Sequence, residues 1–337
     1  MIVKDQWQRV PPVTTADLAG KTVVVTGANA GIGYEAAKHF ATMNPGKLIL
    51  ACRNKDRGNA AVAKLKEETG LSRIELRTLN LSSFASVVEF CNALQSEEER
   101  LDIFVANAAI TSKYALTDDG WESTLQVNNL STLLCSILLA PFMARTFERH
   151  PESRPRIVVV GSSVHYLASL PSEIADAGNP LKVLSSREYC TPQVMEQRYT
   201  DSKLIALFMT RALAKILRNS PVIVNCVDPG YCRTEIQSEA RGLQWLVFPI
   251  LDRYLAWTAE EGSRQLVWAA LSLEDSIDDM HGAYIARMAV TEASDYVIGS
   301  EGMLHEQKIW GNLVDELTKF DPCVPEILKE LSSSGNA

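Results

Sequence analysis

The sequence has no uninterrupted run of about 18 apolar residues, the length that a bilayer-spanning helix needs. Met1–Pro12 is polar and mixed, without the apolar stretch of a secretory signal. Basic residues are in deficit, with 33 Lys and Arg against 41 Asp and Glu and a net charge of −8. A nucleic-acid surface needs a clustered basic face, so no nucleic-acid partner is expected. The five histidines fall in no ligand spacing, and no metal is expected. Seven cysteines (52, 91, 135, 190, 226, 232 and 323) form no Cys-x-x-Cys pair, and their number is odd. Several lie within apolar runs, as Cys226 does in Ile223–Val227, so they read as buried free thiols in a reducing compartment. Two Asn-Leu-Ser sequons, at Asn80 and Asn129, mean little without a secretory signal. The expectation is a cytoplasmic protein.

What the chain does have is an alternation. Its 337 residues are 46% hydrophobic, enough for one large α/β domain or two small ones. Short β-branched runs at Thr22–Val25, Leu48–Ala51, Ile74–Leu79, Ile103–Ala106, Arg156–Gly161 and Ile223–Val227, with a weaker one at Gly282–Ile285, read as strands. Between them, Tyr34–Met43, Asp56–Thr69, Phe84–Leu94, Gly120–Phe142, Tyr199–Leu217 and Glu261–Ser272 carry helical patterns. Thr258-Ala-Glu-Glu261 opens the last as a capping box. Near-continuously apolar strands alternating with amphipathic helices predict a Rossmann-type α/β fold, a doubly wound parallel sheet in one domain. Its core covers about residues 20–290, with an extension over 290–337. Two stretches break the rhythm, at about 165–198 and 234–257, each after a strand's carboxyl end. Ligands bind on that side of such sheets, so both are expected to line a substrate cleft.

Thr26-Gly-Ala-Asn-Ala-Gly-Ile-Gly33 lies between the first strand and the first helix. Strand, glycine turn and helix together make a pyrophosphate pocket. Gly27 permits the sharp exit, Gly31 admits the backbone to phosphate, and Gly33 lets the helix pack closely on the sheet. The positive end of the helix then faces the anion. Tyr199 and Lys203 stand four apart on a helical pattern and project from one face. Such a pair is by itself an ordinary helix surface. Downstream of this turn, and of a strand ending in Ser162-Ser163, it reads as redox chemistry. A free tyrosine has a pKa of about 10, and an ammonium about 4 Å away at an effective dielectric near 20 supplies about 4 kcal/mol. That is the amount needed to bring the phenol near neutrality.

These motifs together resemble the short-chain dehydrogenase/reductase family, and in detail its retinol-dehydrogenase-like branch, including Ala51-Cys-Arg53 and Thr258-Ala-Glu-Glu-Gly262. The resemblance implies that Ser163 is the serine holding the substrate oxygen, beside Tyr199 as general acid/base and Lys203. It implies that Asn128, in Leu125-Gln-Val-Asn-Asn129, is the fourth catalytic residue, on the path linking lysine to solvent. Asn107-Ala-Ala109 matches the family's Asn-Ala-Gly turn, with Ala109 a departure. Asn107 and Ala108 would border the cofactor, as would Asn29, Ala30 and Ile32 in the glycine turn. Asn80, where the family often has aspartate, could bond adenine, with Leu81 beside it. Asp228-Pro-Gly-Tyr-Cys-Arg-Thr234 resembles the family's Pro-Gly turn, so Pro229 and Gly230 would wall the nicotinamide and Thr234 would bond its carboxamide or a phosphate. The gap of 36 positions between Ser163 and Tyr199 is long for the family.

Cofactor choice is read at Leu50–Lys55, which offers no carboxylate for a ribose 2′-hydroxyl. Arg53, twenty positions after Gly33, can grip a 2′-phosphate, with Lys55 or Arg57 assisting, so NADP(H) is expected. Phe248–Leu251 and the flanking Trp245 and Trp257 carry too much apolar surface to stand free. They are read as a lid over an apolar substrate such as a terpenoid, steroid, retinoid or polyketide, with Trp245, Phe248, Tyr231 and His165 as substrate residues. A subunit contact in a homo-oligomer and a membrane-surface anchor are the alternatives for that segment. The leading expectation is an NADP(H)-dependent interconversion of carbonyl and alcohol. Its rival is a cofactor-binding regulatory or scaffold protein without turnover.

Overall fold

Thr22–Thr26 (β1) is buried at all five positions, as a strand covered on both faces must be. In the computed structural model, which describes residues 9–233, 256–272 and 277–333, it lies at the centre of a single sheet. The other strands are β2 (Lys47–Cys52), β3 (Ile74–Thr78), β4 (Ile103–Ala106), β5 (Arg156–Val160), β6 (Ile223–Asp228), β7 (Tyr284–Ala286) and β8 (Ala289–Thr291). Their order is β3-β2-β1-β4-β5-β6-β7-β8, parallel throughout except for the β7–β8 pair. The expected doubly wound fold is therefore present, with a hairpin added at one edge. The strand period of two divides the side chains between two cores. Val23, Val25, Leu48 and Leu50 face one, and Val24, Ile49 and Phe104 face the other.

Helices α1 (Gly31–Thr42) and α2 (Lys55–Thr69) cover the first face, together with a later helix, Ala259–Leu271. The second face carries α3 (Phe84–Glu97), α4 (Ser131–Arg149) and α5 (Pro192–Ile216). Numbered in chain order, Ala259–Leu271 is α6, and the expected capping box between Thr258 and Glu261 starts it. The run Ser123–Arg149 is long and apolar enough to cross a membrane, a length that counting uninterrupted residues did not reveal. In this fold it is mostly buried against the sheet and its neighbours. The extension contributes α7 (Ser300–Phe320) and α8 (Val324–Ser333), which lie over α5 and α4. Ile309, Leu313 and Leu317, then Val324, Leu328 and Leu331, add their apolar faces to the second core.

The two irregular stretches meet different ends. Residues 165–198 are ordered as a 3-10 turn (Ser163–Leu167), short helices at Ser172–Ala175 and Pro180–Ser185, and the first two turns of α5. Thr191 caps α5 by accepting from the Val194 N–H, with Pro192 at its first position, so the helix begins seven residues before Tyr199. Asn179 Nδ2 donates to Glu316 Oε1 at 2.7 Å and ties this insertion to α7. The second stretch, including Thr234, Trp245 and Phe248, lies outside the described residues up to 255. Its flanks are joined: Trp257 N–H donates to Tyr231 O (2.9 Å) and Arg233 N–H to Trp257 O (3.0 Å). Trp257 is only 8% exposed and packs with Val10 and Cys232, so this tryptophan is a core residue rather than part of a lid surface.

Candidate active site

The chain leaves β1 at Gly27 (φ 67°) and enters α1 at Gly31 (φ 58°), both in the left-handed region that favours glycine. No atom outside the turn lies within 4 Å of where a Cβ on Gly31 would stand, so that side of the backbone is open. Gly33 brings the first turn of α1 close to the strand ends, as expected. A Cβ there would stand 2.4 Å from Asn107 Nδ2 and 2.7 Å from Gly27 O, so its absence makes room for an asparagine side chain. Asn107 uses that room to donate to Thr26 O at 2.9 Å, tying the end of β4 to the end of β1. Ala30, at the head of α1, offers no side-chain cap, which leaves the first N–H groups of the helix to a ligand.

Between β1 and β4, where the strand order reverses, a cleft of about 370 Å³ opens. Gly27, Asn29–Gly33, Asn107 and Ala108 form its floor, and Arg53, Arg57, Asn80 and Leu81 its far wall. Arg53 is exposed at the tip of β2, where Asn54 caps α2 by accepting from the Arg57 N–H (2.8 Å). Asn80 Oδ1 accepts from the Ser82 N–H (3.1 Å), so its amide also shapes the turn after β3. Ser82, Ile110, Thr111 and Val127 line the cleft too and were not foreseen, since nothing in their residue types marks them. An open glycine turn, a free helix head and two arginines at the far end fit a dinucleotide with an additional phosphate.

On the other side of β4, α5 presents Tyr199 and Lys203 one turn apart. Lys203 is 3% exposed and its Nζ lies 5.4 Å from the Tyr199 ring centroid. The ammonium donates to Val160 O at the end of β5 (2.7 Å), and burial lowers its pKa to about 8. The expected downward pull on the tyrosine is not what the protein alone shows. Burial and then the charge of Asp228 push the Tyr199 phenol up instead. Lys203 is committed to a backbone carbonyl and is itself desolvated, so it does not offset them. Ser163 is half-buried at the end of β5, brought beside β6 by the parallel register Val160↔Val227.

Asn128 sits in a π-helical turn, Gln126–Leu130, ahead of α4. Its Nδ2 donates to Ile110 O (2.9 Å) and Ser202 Oγ (3.0 Å), and its Oδ1 accepts from the Ile110 N–H (2.8 Å). One side chain thus locks the cleft loop after β4 onto α5, three residues past Tyr199. The wider turn of a π-helix is common at functional sites and gives this amide its reach.

Comparison with known proteins decides the family. The short chain dehydrogenase family matches residues 21–172. Short-chain dehydrogenase anuD of Penicillium roqueforti is 35% identical over 94% of this chain and 83% of its own length. A short chain dehydrogenase/reductase of Cryptosporiopsis is 32% identical over 93% of this chain and 95% of its own. The chain belongs to the short-chain dehydrogenase/reductase family. Among solved structures, L-sorbose reductase from Gluconobacter frateurii, complexed with NADPH and L-sorbose, has the same fold. Its TM-score is 0.59 at 20% identity, over 80% of this chain and 97% of that one.

Within this short-chain dehydrogenase/reductase the expected residues fall into two groups. The glycine turn, Arg53, Asn80, Leu81, Asn107 and Ala108 share the cleft, while Tyr199 and Lys203 on α5 are held to the end of β5, the strand that Ser163 follows. Asn128 bridges the two groups. Pro229 and Gly230 follow β6 directly, and Tyr231 beside them is half-buried. His165 departs from its expected place in a substrate pocket. It is 1% exposed, its Nδ1 lies 2.8 Å from Ser162 O, and its Nε2 accepts from the Ser294 N–H (3.2 Å). With both ring nitrogens engaged by backbone, it braces the loop that carries Ser163. Asp228 was read only as the start of a turn. It is a buried carboxylate whose Oδ1 accepts from the Gly230 N–H (3.0 Å) and Oδ2 from the Tyr284 hydroxyl (3.3 Å), the second a pairing across 56 positions that no local pattern signals.

Proposed function

We propose that this oxidoreductase is an NADP(H)-dependent carbonyl reductase or alcohol dehydrogenase for a largely apolar small molecule. The observation that carries the reading is the pair Tyr199 and Lys203 on α5, tied through Asn128 and Ser202 to the loop of a glycine-turn cleft whose far wall bears Arg53 and Arg57. When bound, NADP(H) supplies or accepts the hydride. Gly27–Gly33 and the head of α1 would hold its pyrophosphate, and Arg53 and Arg57 its 2′-phosphate. Ser163 positions the substrate oxygen by a hydrogen bond. Tyr199 gives that oxygen a proton in reduction and, as phenolate, takes one from the alcohol in oxidation. Lys203 keeps a positive charge beneath the phenol, and Asn128 holds the loop between cleft and helix in register. The apolar substrate class is supported by Trp245 and Phe248–Leu251 in the sequence and by Leu167, 75% exposed four residues beyond Ser163.

A screen of apolar ketones, aldehydes and alcohols with NADPH or NADP+ tests this function. Turnover is expected with NADPH, and Tyr199→Phe is expected to lower it by at least about a hundredfold. Near-normal turnover in that variant would remove Tyr199 from the chemistry. NADPH binding without turnover across the screen would favour a scaffold.

A further inference from the structure

The residue just before Tyr199 is a buried cation. Arg198, in the second turn of α5, is 1% exposed, and Glu122, ahead of the π-helical turn, is 0% exposed. The guanidinium meets several segments at once. Its Nη2 donates to Leu184 O (2.7 Å) and to Cys190 Sγ (3.3 Å), both in the stretch between Ser163 and α5. Its Nε faces Glu122 Oε2 at 3.6 Å and its Nη1 faces Asp201 Oδ2 at 3.7 Å, ion pairs longer than hydrogen bonds. Glu122 in turn accepts from the Thr124 and Leu125 N–H groups (2.8 and 2.9 Å), and its own N–H donates to Ser185 Oγ (2.8 Å). The carboxylate thus starts the short helix that runs into Gln126–Leu130, the turn that carries Asn128. On the other side of Tyr199, Ser202 Oγ donates to Tyr199 O (2.7 Å) and accepts from Asn128 Nδ2 (3.0 Å). Asn129 Nδ2 donates to Ser202 O (2.8 Å). Residues 122–129 therefore hold Tyr199 from both sides, by an ion pair before it and by hydrogen bonds after it. Burying two charges costs stability that well-packed apolar side chains would not, so stability alone does not call for this pair.

We propose that Arg198 is a positioning residue, fixing the direction in which Tyr199 leaves α5 relative to Asn128 through its pairing with Glu122 and its bonds to Leu184 and Cys190. Its role in turnover rests on Tyr199 being the proton-transferring group of the proposed function; its hold on the Tyr199 side chain does not. The guanidinium fork reaches Leu184 and Glu122 from different nitrogens, which a single ammonium or an apolar chain cannot do. The cofactor cleft lies on the other side of β4, so losing the fork displaces the phenol and leaves the cleft in place.

Arg198→Met keeps the length of the side chain and removes the fork. It is expected to lower kcat for a carbonyl substrate by at least about tenfold, since a misplacement of about 1 Å costs on the order of a hundredfold. The Kd of NADPH should stay within about twofold, as for sites that do not touch. In protein labelled with fluorotyrosine, the Tyr199 fluorine NMR line is assigned by its absence from Tyr199→Phe. That line should move or split in Arg198→Met, while the line of Tyr34, on the opposite face of the sheet, stays. A folded Arg198→Met protein with wild-type kcat, or with its Tyr199 line at the wild-type position, overturns the proposal. So does a fall in kcat matched by an equal weakening of NADPH binding, which is general damage. If this variant does not melt cooperatively, Glu122→Gln decides by the same readouts, because it keeps an acceptor oxygen for the helix start and removes the charge. A wild-type protein that turns over no carbonyl or alcohol sinks the proposed function. The Tyr199 line then decides the positioning alone, which stands if the line moves and falls if it does not.

Discussion

Replacing Lys203 by methionine should stabilise the cofactor-free protein while abolishing its activity. The ammonium is buried, and burial has brought its pKa from 10.5 to about 8. Each pH unit between the folded and unfolded values is worth about 1.4 kcal/mol, so holding this charge costs the fold about 3 kcal/mol at neutral pH. Methionine keeps the length of the stem and removes the charge. It also removes the bond from Nζ to Val160 O (2.7 Å), worth about 1.5 kcal/mol, which leaves a net gain of roughly 1–2 kcal/mol. The sign with pH follows from a depressed base. The cost is full below about 8, where the lysine is protonated in both states, and it fades as pH rises toward 10.5, where both states are neutral. Urea denaturation of both proteins at several pH values isolates the lysine, because every other group cancels in the difference. The Lys203→Met advantage should be largest near pH 7 and should shrink steadily above pH 8. A variant less stable than wild type at pH 7, with a difference flat in pH, would refute the reasoning. Under the proposed function the ammonium would lie against bound cofactor, so NADPH should stabilise the wild type more than the variant.

Arg53→Ala should weaken NADP(H) binding by at least about tenfold, on the order of 1.4 kcal/mol, and leave NAD(H) nearly unchanged. Fluorescence titrations with the two reduced cofactors check this, and equal affinities in the wild type would contradict it. Gly33→Ala should drive a methyl into Asn107 Nδ2 and Gly27 O, at 2.4 and 2.7 Å. The expected cost is about 1–3 kcal/mol of stability, with weaker cofactor binding, read by thermal melting with and without NADPH. Leu313→Ala, in the fully buried face of α7, should cost roughly 2–5 kcal/mol although it lies outside both the cleft and the catalytic group. A change within experimental error would mean that the C-terminal extension does not support the core.

Much of this was written locally. Short runs marked seven of the eight strands: central ones such as β4 and β5 are nearly continuously apolar because both faces are buried, while β3, at the edge of the sheet, alternates. The eighth escaped because the turn before it, Arg287-Met288, holds both residues at positive φ (57° and 55°) without the Asn-Gly pair that signals such a hairpin. Helix α7 was visible in principle through Ile309, Leu313 and Leu317, each four apart, but what those residues cover could not be read from spacing. The start of α5 was signalled by Thr191-Pro192 and hidden by the polar stretch before it.

The sequence alone settled the order of elements, the glycine turn, and the presence of Tyr199 four residues before Lys203, because each depends on neighbours a few positions apart. Tertiary structure decided the electrostatics. Asp228 meets Tyr284 only through the pairing of β6 with β7, Lys203 is desolvated only once α5 lies on the sheet, and His165 becomes a brace only when Ser294 closes on it. Charge and burial depend on everything within reach in space, and a chain read in one dimension shows only what is adjacent along it.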